Sequence, residues 1–240
     1  MKKVLILIAL AVPVLLAAQK QVINDKNAEV RKLNGSFHAI KVGYAFNIYL
    51  TQGDEEGVVV SAGNENLRGH IKTEVKDGVL TIGFDEPGKW WKWSNGKSLK
   101  AYISFKQLDK INASGATDVV VNGGIKANEL EVHLSGASDF KGNITANELV
   151  VELSGASDMQ LSGSKVTTLK VEANGASDFK GYDLVADNCS ANASGASDIK
   201  VTVNNELNAS ASGASGIYYK GQGKILDLKS SGASSVSRKG

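Results

Sequence analysis

Between residues 110 and 220 the chain alternates apolar and polar side chains two by two. Leu130, Val132 and Leu134 are separated by Glu131 and His133. Leu149, Val151 and Leu153 keep the same beat, as do Leu169, Val171 and Ala173. A period of two sends one set of side chains inward and the other outward, so each run predicts a β-strand. Each run ends on a five-residue corner of the type Ser-Gly-Ala-Ser-Asp. One residue after the corner an apolar side chain returns: Val119, Phe140, Met159, Phe179, Ile199, Ile217 and Val236. A second inward position therefore recurs in every copy.

The corners begin at Ser114, Ser135, Ser154, Asn174, Ser194, Ser212 and Ser231, at intervals of 21, 19, 20, 20, 18 and 19 residues. Near-constant spacing means stacked repeats. Such a unit has no room for two helices, and a propeller blade needs about 40 residues. One coil of a parallel β-solenoid fits, each coil lying ~4.8 Å above the last. The predicted fold is all-β: a parallel β-helix of about seven coils over residues 111–240, preceded by a hairpin-rich β part over 19–110.

In a stack of coils, equivalent residues become ladders. The second corner residue is Gly in every copy, as a backbone with positive φ or close approach requires. The third is always Ala, which predicts a small side chain inside a tight corner. Cys189 falls in the slot held by Leu130, Leu149, Leu169, Leu207 and Leu226, so it reads as a buried thiol. Asp118, Asp139, Asp158, Asp178 and Asp198 form a ladder of like charges at the last corner position. In water each neighbouring pair costs just under ~1 kcal/mol. Hydrogen bonds from corner N–H groups or from the nearby Ser would offset this. So would a cation such as calcium, but calcium takes six to eight oxygens and each coil offers one carboxylate. The ladder is read as structural, and no catalytic or metal-binding residue is assigned.

Residues 19–110 lack the corner motif. Their strand-like segments include 37–53, 57–63, 71–84 and 99–105, with Asp77-Gly78 at a hairpin tip. This part is expected to cap the solenoid, whose end would otherwise expose apolar surface. Between its last two strands lies DEPGKWWKWSNGK, which carries all three Trp of the chain. Trp90, Trp91 and Trp93, interleaved with Lys92, are the candidate ligand-binding residues, able to stack on sugar rings, enter a lipid interface or anchor a protein contact. A loop folded back over the end of the solenoid is the alternative.

The first residues change the setting. Lys2 and Lys3 precede an apolar run from Val4 to Leu16 and a small pair, Ala17-Ala18, the layout of a secretory signal peptide over residues 1–18. The run is too short for a membrane span. The full chain has 27 Lys and Arg against 25 Asp and Glu, so losing Lys2 and Lys3 leaves the charges balanced. A balanced chain offers no electrostatic case for nucleic acid. The last coil carries Arg238 and Lys239, which are expected to discourage end-to-end pairing of an open edge.

The segments FHAIKVGYAFNIYLTQG, VKDGVLTIGF and LKAYISFKQLDKINASGATDV, with the SGASD series, resemble the putative auto-transporter adhesin, head GIN domain family. Its members are exported proteins typical of Bacteroidetes. The resemblance covers about residues 37–236. It implies a β-solenoid at the cell envelope (periplasm, outer-membrane surface or extracellular space) and no reaction. His38, His70 and His133 are scattered, and no Ser/His/Asp or metal-ligand spacing stands out. The leading expectation is a non-catalytic, adhesin-like protein that binds a glycan or other cell-surface component. A rigid scaffold and a polysaccharide-active enzyme of pectate-lyase-like fold are the alternatives.

Overall fold

The two runs of each repeat become two walls of a parallel β-solenoid of about six turns. The structure is a computed structural model and describes residues 14–16, 21–85 and 98–239. One wall is built from β10 (Lys110–Ala113), β12 (Ile125–Leu134), β14 (Ile144–Leu153), β16 (Ser164–Ala173), the second halves of β17 (Asp178–Ala193) and β18 (Asp198–Gly213), and β20 (Lys224–Gly232). The other comprises β11 (Asp118–Asn122), β13 (Asp139–Gly142), β15 (Asp158–Leu161), the first halves of β17 and β18, β19 (Gly216–Lys220) and β21 (Ser235–Arg238).

Parallel pairing one coil apart carries Leu130 onto Leu149, then Leu169, Cys189 and Leu207. All of these are buried, and burial pushes the Cys189 thiol up to about 12. The ladder then continues to Ile225 rather than Leu226. A bulge between Leu207 and Asn208 absorbs one residue and leaves Leu226 outside.

The corners hold a different inner residue from the one expected. The motif Ala is exposed in every copy, and the following Ser or Thr is buried in all but the last, where Ser234 is half-buried. The reason is hydrogen bonding. Inside a corner, backbone groups need partners, which a hydroxyl supplies and a methyl cannot. Ser177 Oγ donates to Asn174 O at 3.0 Å and accepts from Ser157 N–H at 3.3 Å. Thr117, Ser138 and Ser157 each donate in the same way to the first residue of their own corner. The motif Gly residues have φ between 75° and 85°. A Cβ on Gly155 would lie 2.5 Å from Gly136 O, so both conformation and close stacking require glycine.

The front half both extends this stack and closes one end. β4 (Ala39–Val42) and β5 (Phe46–Gln52) pair in parallel with β10 and β11. β8 (Val79–Phe84) and β9 (Leu99–Phe105) pair in parallel on the far side of β4 and β5. The spatial order is therefore β8/β9, β4/β5, β10/β11, which is not the chain order. Beyond that level the pairing turns antiparallel: β7 (Ile71–Lys76) on β8, β6 (Gly57–Ser61) on β9 and β3 (Glu29–Arg31) on β6. The one-turn helix α1 (Glu65–Gly69) joins β6 to β7 and buries Leu67. Asn64 caps it by accepting from Leu67 N–H at 2.8 Å. The β7–β8 hairpin turns at Asp77 and Gly78, both with positive φ, as the Asp-Gly pair predicts. β1 (Val14–Leu16) and β2 (Gln21–Ile23) form a separate antiparallel pair.

Candidate functional site

Asn47 pairs with Asp118, which sets Gly43-Tyr44-Ala45-Phe46-Asn47 directly on Ser114-Gly115-Ala116-Thr117-Asp118. The join between β4 and β5 is thus a disguised copy of the corner motif. Tyr44 occupies the glycine position, and its φ is 71°. Ala116 N–H donates to Tyr44 O at 2.6 Å, as Ala137 N–H donates to Gly115 O at 2.7 Å one coil on. The ladder forces the left-handed conformation, which costs a bulky L-residue about 1–2 kcal/mol. Strain of this kind survives where the surroundings over-determine it, and it collects at functional sites.

The Tyr44 ring forms one wall of a cleft of about 780 Å³ on the outer surface of the first coils. Its floor is made of small residues, Gly43, Gly83, Gly115 and Ala116, whose missing side chains create the space. A Cβ on Gly83 would stand 3.4 Å from Tyr44 Cε2, so the ring lies against that strand. Ile82 and Phe84 lie beneath the cleft, with their side chains buried in the core. Lys41, Lys72 and Glu74 stand on the rim, all exposed. His70 supports Phe84 from behind, with ring centroids 5.5 Å apart, and its Nδ1 is held by Asp85 Oδ1 at 2.9 Å. Lys72 Nζ lies 3.8 Å from Asp85 Oδ2, and Lys41 has no ion pair among the described residues. The cleft therefore offers one aromatic face, ammonium donors and a carboxylate acceptor over an apolar floor. That combination suits a ligand with both ring faces and hydroxyl or charged groups.

The residues singled out from the sequence are distributed differently. Trp90, Trp91, Trp93 and Lys92 lie outside the described residues. Asp118, Asp139, Asp158, Asp178 and Asp198 stand in register, coil on coil. A second column two residues on, including Lys141, Lys180 and Lys200, runs beside them. Lys180 Nζ reaches Asp158 Oδ2 at 2.6 Å and Asp178 Oδ2 at 3.5 Å. The hydrogen bond to Asp158 holds the ammonium above its ordinary value. Lys180 thus offsets the like-charge repulsion between Asp158 and Asp178. Among the described residues no group of three or more His, Cys, Asp or Glu could hold a metal ion. The His side chains are apart and each faces a carboxylate: His38 with Asp109, His70 with Asp85, His133 with Glu152. Tyr44 is the residue that sequence reasoning missed. Its signal was faint: only Ala45, and Asn47 in place of Asp, echo the corner motif.

The fold recurs in solved structures. A putative adhesin from Bacteroides fragilis NCTC 9343 is 24% identical, with 88% of this chain and 96% of that one covered and a TM-score of 0.78. A putative lipid binding protein from Parabacteroides distasonis ATCC 8503 is 21% identical over 89% of this chain and 97% of that one, with a TM-score of 0.69. A putative adhesin from Parabacteroides merdae ATCC 43184 is 17% identical over 89% and 97%, with a TM-score of 0.63. No curated protein matches the chain. No helix among the described residues is long and apolar enough to cross a membrane. The family described as putative auto-transporter adhesin, head GIN domain matches residues 36–223, and the chain belongs to that family.

Proposed function

We propose that this is an exported, non-catalytic, adhesin-like protein that binds a cell-surface glycan at the Tyr44 cleft. The carrying observation is Tyr44 itself. Every later corner in the stack uses glycine at this position, and the one aromatic exception is strained and lines a cleft of about 780 Å³. The aromatic face suits stacking on a sugar ring, and Lys41, Lys72 and Glu74 supply donors and an acceptor for its substituents. Trp90, Trp91, Trp93 and Lys92 belong to the segment that follows Asp85, next in the chain to Phe84 of the cleft, and are proposed as further ligand contacts. A second reading, an acyl lipid, is favoured by the apolar floor. It is also favoured by the neighbour described as a putative lipid binding protein.

All three Trp lie within residues 90–93, so intrinsic Trp emission reports on that segment. The protein is titrated with soluble acidic and neutral polysaccharides and, separately, with anionic phospholipid vesicles. A saturable change with a polysaccharide that is lost in Tyr44→Gly supports the glycan reading. A response to vesicles alone transfers the site to lipid. Silence with both removes Trp90, Trp91 and Trp93 from the site, and calorimetry that finds no binding of either ligand overturns the cleft as a binding site.

A further inference from the structure

Four large aliphatic side chains are exposed among the described residues: Val30, Ile225, Leu226 and Leu228. Three of the four stand on β20. One coil earlier, the residues paired with Ile225 and Leu228 are closed over: Leu207 is 0% exposed and Ala209 3%. Ile225 and Leu228 are 37% and 47% exposed because no strand among the described residues stacks over them. Among the described residues β20 pairs only with β18, so its other edge presents backbone groups without a strand partner there, as well as apolar side chains. At the opposite end β3, β6, β7 and α1 lie over the first coils, and Val30 of β3 is the one large aliphatic exposed there among the described residues.

Such an edge is normally defended by charge. Here two of the defending charges turn back onto their own chain. Arg238 Nη2 donates to Gly221 O at 2.5 Å, and Lys239 Nζ sits 4.8 Å from the Tyr218 ring centroid. On β20 itself, Asp227 and Lys229 carry opposite signs two residues apart and pair with each other at 2.8 Å.

We propose that the β20 edge is a self-association surface whose partner is a second copy of this chain, joined antiparallel about a two-fold axis through Leu228. β20 runs for nine residues, Lys224–Gly232, and Leu228 is its central residue. Full-length antiparallel overlap therefore places Leu228 opposite the partner's Leu228. The same register places Asp227 opposite the partner's Lys229, and the symmetry repeats that pair. The register with the most backbone pairing is thus also the one with complementary charge. An isologous contact of this kind closes on itself, so assembly stops at two copies. The two capped ends then point outward, and each carries a Tyr44 cleft.

The test is sedimentation equilibrium of the chain without any C-terminal tag, over a wide concentration range. The expected result is a reversible monomer–dimer equilibrium with nothing larger. Leu228→Lys, at the axis, should give a monomer. Asp227→Lys should do the same by setting Lys against Lys. Combining Asp227→Lys with Lys229→Asp should restore the dimer. These side chains are exposed, so the circular dichroism spectrum should be unchanged, and the rescue by the double variant excludes misfolding as the cause. A monomer at every concentration would overturn the proposal and leave the edge to a different protein. Open-ended growth, or a dimer indifferent to Asp227→Lys and Leu228→Lys, would overturn it as well.

Discussion

Removing the hydroxyl of Ser177 should damage this protein far more than removing the neighbouring carboxylate of Asp178. The Ser177 side chain is fully buried and makes two hydrogen bonds, one donated to Asn174 O and one accepted from Ser157 N–H. In Ser177→Ala the donated bond is lost, worth about 1 kcal/mol net, and Ser157 N–H is left buried without a partner, at about 1–3 kcal/mol. The accepted bond is long at 3.3 Å, so the lower part of that range applies and the expected loss is about 2–3 kcal/mol. Asp178→Ala removes one member of an outward column of like charges and a contact of 3.5 Å with Lys180. These oppose each other, and the expected change is within about 0.5 kcal/mol. Urea unfolding followed by far-ultraviolet circular dichroism measures both, provided the m-value is unchanged between variants. Equal effects of the two substitutions would refute the assignment of the corner's work to its serine. So would a larger effect of Asp178→Ala.

Gly155→Ala and Gly123→Ala separate two roles of glycine. Both have φ of 79°, but an added Cβ meets backbone only at Gly155. Gly123→Ala should cost about 1–2 kcal/mol from conformation alone; Gly155→Ala should cost clearly more and weaken the Ala156 N–H to Gly136 O bond, as urea midpoints will show. Cys189, with its thiol pushed up to about 12 by burial, should resist alkylation at pH 8 until the protein unfolds, measured by mass spectrometry with and without urea. The native state keeps that proton where the unfolded chain loses it. Its contribution to stability is therefore complete below about pH 9 and declines as the pH rises toward about 12; Cys189→Ala should flatten this part of the pH profile. Tyr44→Gly should relieve about 1–2 kcal/mol of backbone strain while losing the ring's packing, so its melting temperature should hold or rise. A marked fall would mean that the ring is there for packing.

The coil was legible because its signal is repeated. Period-two alternation ending on a Gly corner, seven times over, leaves few other architectures open. Within the corner the choice between Ala and Ser for the inside was not legible. Volume favours Ala, and the need of the Ser157 and Asn174 backbone groups for a partner is seen only when coils are stacked. The placement of β8/β9 outside β4/β5 was hidden for another reason: non-consecutive pairing leaves no spacing to read. Tyr44 stayed hidden because Gly43 replaces the first Ser, Phe46 the buried hydroxyl and Asn47 the carboxylate, so with Tyr44 itself four of the five corner letters differ.

The crossed order of the first levels has a consequence for how the chain reaches this state. β4 and β5 lie between β8/β9 and β10/β11, so they complete their pairing only after residues well downstream have arrived on both sides. The segment from β3 to β11 must close as a unit, bridging loops that span much of the first hundred residues. After that each coil needs only the one before it, and assembly can proceed by addition onto an existing template. Shortening the chain from its C-terminus should remove coils one at a time, and deletion of β4 should remove the template itself.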